Sequence, residues 1–268
     1  MKLKLFGCLL FAMMLLGGKA AMAQHTLGLT AGYGMATARL KPEQEMKGLW
    51  NNALAGITWR YYSPSRVVGG FGIDLEFIQR GFSYAMNSSY VDDPKDYIYY
   101  TRKVNSIIMP VVWQPHFYMM KNRIRVYMEA AVTFSYNLSS TYENEQAQLD
   151  ELPNWKGDYH FKLVRDNRWG YGLAGGAGVA LLIKRCEINF RARYYFGYSD
   201  IVRNRSRYND NLTDNHVENP FRLTPLKSPL DNFMISIGVS YRFNKAGFDE
   251  WKPRRRREKN QEVFKYAL

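Results

Sequence analysis

Seven segments of this chain alternate apolar and polar or small residues with a period of two, and an eighth of similar length is largely apolar. In a strand, residues i and i+2 share a face, so each alternating segment predicts a strand with one oily side. The clearest sets Ile124, Val126, Met128, Ala130, Val132 and Phe134 against Arg123, Arg125, Tyr127, Glu129, Thr133 and Ser135. In "GFGIDLEFIQRGF", Asp74, Glu76 and Arg80 share one face while Phe71, Ile73, Leu75 and Phe77 share the other. The same pattern runs through Leu27–Met35, Ala55–Tyr61, Trp169–Val179, Glu187–Phe196 and Phe233–Phe243. Val104–Gln114 is apolar on both faces, and Pro110 within it predicts a bulge, because proline cannot donate to a ladder.

Segments of about ten residues with this pattern mark a transmembrane β-barrel. The connections between them alternate long and short. Short ones are Ser63–Arg66, the stretch from Pro115 to Asn122, and Lys184-Arg185; long ones are Ala36–Leu49, Ala85–Thr101, Leu138–Arg168 and Ile201–Leu230. Outer-membrane barrels have short periplasmic turns and longer outer loops. The predicted fold is therefore all-β: an eight-stranded antiparallel barrel in the outer membrane, with both termini in the periplasm.

The two ends of the sequence lie outside this pattern. Residues 1–23 read as a secretory signal: Lys2 and Lys4, an apolar centre from Leu5 to Gly18, and Ala21-Met22-Ala23 before a cleavage point. Its removal leaves Cys186 as the sole cysteine, which excludes an intramolecular disulfide. The barrel is assigned to 24–244 and a basic periplasmic tail to 245–268. Net charge falls from +13 to +10 when Lys2, Lys4 and Lys19 leave with the signal. In an exported chain that excess favours anionic envelope components over nucleic acid.

Magnitudes decide which face is inside. An Arg or Lys facing lipid at the midplane costs about 2–4 kcal/mol. Slipping three strands by one residue would expose Asp74, Glu76, Arg125, Glu129, Arg191 and Arg193 together, more than the net stability of a typical domain. An eight-stranded barrel is just wide enough for side chains to fill it. The predicted lumen therefore holds Asp74, Glu76, Glu129 and Glu187 with Arg80, Arg123, Arg125, Arg191, Arg193 and Arg242. Bidentate Arg–carboxylate pairing satisfies charges in so narrow a space.

Enzyme chemistry finds little to work with in the sequence. His25 stands at the mature start, His116 in a short turn, and His160 and His216 in long loops, so none is expected on a strand beside a serine. No Gly-x-Ser-x-Gly, His-Glu-x-x-His or Cys-x-x-Cys occurs. "GYGLAGGAG" lies on a strand with no helix after it, so its glycines make room in the lumen instead of cradling phosphate. No catalytic, metal or cofactor-binding residue is expected. In the tail, Trp251 beside Arg254, Arg255, Arg256 and Arg257 reads as a docking segment for an acidic periplasmic partner or as a solvated extension touching lipid phosphates.

The segments "GITWRYY", "SIIMPVVWQ", "WGYGLAGGAGVAL", "RARYYFGYSDIVRN" and "SPLDNFMISIGVSYRF", in this order and spacing, resemble the PorT-like outer-membrane barrels common in Bacteroidetes. The resemblance spans about Leu27 to Phe243, and the tail goes beyond it. "YSDIVRNRSRYNDN" and "NPFRLTPLKSPLDN" look closer to the branch that serves type IX secretion. What the resemblance implies is a non-enzymatic accessory component of protein export, in contact with outer-membrane lipid and other components of that system. The alternative is a stand-alone structural or surface-binding barrel.

Overall fold

The computed structural model describes residues 24–62, 69–88, 91, 93–120, 123–145, 156–203 and 225–243. The signal-like leader and the tail with Trp251 and Arg254–Arg257 lie outside the described residues. The strands are β1 Gln24–Ala38, β2 Met46–Lys47, β3 Leu49–Tyr62, β4 Gly70–Ala85, β5 Tyr99–Gln114, β6 His116–Met119, β7 Ile124–Asn144, β8 Lys156–Asp158, β9 Trp169–Ile183, β10 Cys186–Gly197 and β11 Leu230–Arg242.

Eight long strands pair antiparallel in the order β1-β3-β4-β5-β7-β9-β10-β11, and β11 returns to β1 from Thr26↔Arg242 to Ala38↔Leu230. The sheet is closed. β2 and β8 are short additions to β4 and β7 at the end that carries the long connections.

The period-two pattern sorts inside from outside as the residues predict. Leu29, Met128 and Ile235 are 67%, 68% and 61% exposed on the outer wall. Along the inner face of β4 lie Asp74, Glu76, Ile78, Arg80, Phe82 and Tyr84, all buried. Aromatic side chains ring both ends of the oily wall. Phe71, Trp113, Phe117, Tyr241 and Phe243 lie near the termini, and Tyr33, Trp50, Trp169, Tyr171 and Tyr198 near the long connections. Such girdles place amphipathic rings at the two membrane surfaces.

Three sequence expectations change. Pro110 causes no bulge: the register of β5 is the same on both sides of it against β4 and β7, and the shift falls between Asn105 and Ser106. The β4–β5 ladder instead skips Asp74 and Leu75, opposite Pro110 and Met109, where proline has no N–H to give. Ile107, Met109, Val111 and Trp113 face outward, which fixes the ambiguous face of this strand.

The stretch after Pro115 is not a turn. β6 continues β5 against β7 in the same register, Trp113↔Ala130 and then His116↔Tyr127, so the turn shrinks to the residues between Met119 and Ile124. His116 accordingly sits on a strand, its ring edge-on to Tyr62 and Tyr118. At the other end β7 runs on to Asn144, past the expected stop at Ser135. Hydrogen bonding to β5 and β8 carries it there after the oily alternation has ended.

Lumen packing relies on small residues at defined places. A Cβ on Gly178 would lie 2.4 Å from the Tyr127 ring, whereas one on Gly175, facing outward, meets nothing nearer than 3.8 Å. Gly178→Val should therefore lower the unfolding free energy by about 1–3 kcal/mol, the usual range for overpacking. Gly175→Val should change it by much less. Urea titration of the refolded barrel in lipid vesicles measures both, and equal effects would refute the inside–outside assignment of β9.

Candidate functional site

The chemistry of this chain is concentrated in the lumen. β3, β4, β7 and β10 deliver Arg60, Asp74 and Glu76, Glu129, and Arg191 and Arg193 to one level of the barrel, all of them buried. Arg60 forks onto Asp74, with Nη2 donating to Oδ2 at 2.9 Å and Nη1 donating to Oδ1. Arg191 Nη2 donates to Glu76 Oε1 at 2.8 Å and Nη1 to Asp74 Oδ2 at 3.3 Å. Arg193 donates to Glu129 Oε2 through Nε (2.8 Å) and Nη2 (2.6 Å), and its Nη1 reaches Asp74 Oδ2 and Glu76 Oε1 at 3.1 and 3.2 Å. The Tyr195 hydroxyl donates to Glu76 Oε2 at 2.6 Å. Three guanidinium groups and three carboxylates form a neutral, mutually satisfied cluster.

A second cluster lies toward the termini. Arg125 donates to Glu187 at 2.6 and 3.2 Å, stacks over the Tyr62 ring at 3.9 Å, and donates to the Tyr62 hydroxyl at 2.7 Å. Arg242 Nε stands 3.0 Å from Glu187 Oε1. The Tyr62 hydroxyl in turn donates to Gln114 Oε1 at 2.9 Å. The cavity beside Arg60, Tyr62, Tyr127, Glu129 and Arg191 has a volume of about 30 Å³. That is room for a couple of waters, not a passage.

Toward the long connections the lumen turns apolar, with Leu54, Ile78, Ile108, Val112, Ala131 and Met234 packed together. Phe82, Tyr84, Tyr100 and Val104 continue the filling beyond them. Across the mouth lies a cap: the Arg102 guanidinium sits 3.4 Å over the Tyr159 ring and 3.6 Å from Asp166 Oδ1, which accepts from the Tyr159 hydroxyl at 3.0 Å. Burial pushes the Tyr159 phenol well above its usual range, so it remains the donor in that bond.

Of the residues expected in the lumen, Asp74, Glu76, Arg125, Glu129, Glu187, Arg191, Arg193 and Arg242 join these ion pairs. Arg80 is in the lumen but, among the described residues, is in no ion pair; it donates to Asn232 Oδ1 at 2.9 Å and to the Leu230 carbonyl. Arg123 is a correction. It is exposed in the turn before Ile124, its N–H donating to the Met120 carbonyl at 3.2 Å, because the alternation that would carry it inward stops where the strand begins. Sequence reasoning missed Arg60 as a member, although it stands in phase with Gly56 and Thr58 on the inner face. Arg102 lies before the expected start of its strand, and Asp166 lies in a loop with no periodic signal at all.

Every carboxylate of the two clusters faces arginine, and among the described residues no His, Cys, Asp and Glu group could hold a metal. Breaking a buried pair strands its partner, at a cost of about 3–5 kcal/mol. Asp74→Ala, which orphans donors on Arg60, Arg191 and Arg193, should lower stability by about that amount in a denaturant titration. A loss under 1 kcal/mol, the scale of an exposed pair, would mean the cluster is hydrated and open. Independently, the purified barrel in planar bilayers should show no steady single-channel current, and a reproducible open pore would refute the filled lumen.

No curated protein sequence matches the chain. Among solved structures it is similar to neisserial surface protein A, with 11% identity, coverage of 82% of this chain and 99% of that one, and a TM-score of 0.41. OprG from Pseudomonas aeruginosa gives 12% identity, coverage of 84% and 97%, and a TM-score of 0.42. Ail from Yersinia pestis gives 13% identity, coverage of 82% and 99%, and a TM-score of 0.34. The family model for the outer membrane protein beta-barrel domain matches residues 22–203, more than half of the sequence. With its closed eight-stranded wall and apolar exterior, the chain belongs to this family and resides in the outer membrane.

Proposed function

We propose that the chain is a non-enzymatic barrel that assists protein export across the envelope, acting through contacts with other envelope proteins. The observation that carries this reading is the filled lumen. A barrel whose interior is occupied by Arg–carboxylate clusters and then by aromatic packing offers no route for a polypeptide or a solute, so its work falls to its outer surfaces. The resemblance to PorT-like barrels supplies the export system, type IX secretion, and the type of partner. The alternating connection lengths favour both termini in the periplasm and the Arg102–Asp166 cap at the cell surface.

A second reading, a stand-alone surface-binding barrel, draws on one feature. β5, β7 and β8 rise beyond the oily wall and frame a groove of about 270 Å³ lined by Thr101, Lys103, Thr141, Glu143, Lys156 and Asp158. Deleting the gene separates the two. Under the export reading, secreted cargo accumulates in the periplasm while the outer membrane stays intact to vancomycin and detergent. Normal surface display of all such cargo in the deletion strain would overturn it in favour of the second.

A further inference from the structure

One feature of the outer wall is electrostatically unfavourable as it stands. Beyond the end of β1, Lys41 and Lys227 form an isolated antiparallel bridge, with Lys41 N–H donating to the Lys227 carbonyl at 3.0 Å and Leu226 N–H donating to the Lys41 carbonyl at 2.9 Å. Directly opposed residues in such a bridge hold their Cβ atoms about 4.5–5.5 Å apart, where like charges repel. Both lysines are exposed, and among the described residues neither is in an ion pair with a carboxylate. The neighbouring Arg39 differs. Its Nε donates to Asp231 Oδ2 at 2.8 Å, and its guanidinium rests 3.8 Å over the Phe196 ring. The Tyr194 hydroxyl donates to the same carboxylate at 3.0 Å, so Asp231 is fully engaged below the lysines.

The position of the pair identifies what could neutralise it. Alternation continues from the lipid-facing Leu27, Leu29, Tyr33 and Met35 through exposed Arg39 to Lys41, and exposed Lys227 keeps the pairing register of Phe233 and Ile235 past buried Asp231 and Pro229. Arg39 N–H bonds the Pro229 carbonyl at 3.0 Å, so the lysines stand two residues further out than Arg39 and Pro229. For a tilted strand that is about 5 Å along the membrane normal. The polar headgroup zone on each side of a bilayer is about 5–8 Å deep.

We infer that Lys41 and Lys227 together hold the phosphate of an anionic lipid headgroup at the end of the barrel bearing the long connections. One phosphate between two ammonium groups converts a repulsive bridge into two attractive contacts. A lipid is favoured over free phosphate because acyl chains already lie against the wall of β1 and β11 directly beneath, which raises the local concentration of the headgroup. In the proposed orientation this lipid belongs to the outer leaflet, but the site itself does not depend on that orientation or on the export reading.

The test uses the full-length protein in neutral detergent micelles, with dioleoylphosphatidic acid as the probe and native mass spectrometry as the readout. Wild type should retain one phosphatidic acid in preference to phosphatidylcholine. Lys41→Gln/Lys227→Gln should weaken that binding about thirtyfold, from two lysines acting near an anionic headgroup. Lys41→Arg/Lys227→Arg should keep it, which separates loss of charge from loss of fold. Lys184→Gln/Arg185→Gln, at the opposite end of the barrel, should leave it unchanged. Undiminished phosphatidic acid binding in the Lys41/Lys227 glutamine variant would overturn the inference. So would inorganic phosphate competing for the site at the same concentration as the lipid, because the site would then not be one for a lipid.

Discussion

The structure depends on one pairing, β1 with β11. A hydrocarbon layer offers no water to unpaired N–H and C=O groups, so a sheet that crosses it must have no edge. Thirteen residue pairs from Thr26↔Arg242 to Ala38↔Leu230 remove the edge that either strand alone would expose. Closure also removes choice elsewhere. With eight strands the circumference is set, the lumen is narrow, and each inward side chain must fit against those arriving from across the barrel.

That geometry explains how so much charge can lie buried in the lumen. Isolated charges in such a space would each cost several kcal/mol, and partners arriving from opposing strands offset that cost through forked, short hydrogen bonds. Arg193 on β10 reaches Glu129 on β7 and both acids of β4; Arg60 on β3 closes the ring at Asp74. Small residues leave the volume these long side chains need, as Gly178 does for Tyr127 and Gly72 for Arg60. The cluster thus joins four strands by side chains, in addition to the ladders that join neighbours.

The filled lumen turns attention to the outside of the barrel. Among the described residues, the lumen holds a cavity of about 30 Å³ beside the arginines and aromatic packing toward the mouth. The exterior presents three surfaces: the oily wall with its girdles, the raised β5–β7–β8 edge, and the charged rim around Arg39, Lys41 and Lys227. Each of these meets a different environment, namely acyl chains, the space beyond the membrane, and headgroups.

Inside and outside are written in the order of the residues. A period of two distributes residues to two faces, and the cost of charge in lipid leaves one assignment, so the eight strands, the closed barrel and the inward carboxylates of β4 were legible residue by residue. Periodicity says nothing about which inward residues meet, because that depends on the stagger between strands and on distances across the lumen. The stagger of the closed wall is what brings Arg80 to Asn232 and leaves Arg123 in its turn. It also decided that Arg60 completes the central ring. Pro110 looked like a bulge from one strand alone; the two neighbouring ladders hold its register, a restraint that no local reading contains. The Arg102–Tyr159–Asp166 cap joins a strand extension to a loop, contacts between residues about sixty positions apart that exist only once the wall has closed.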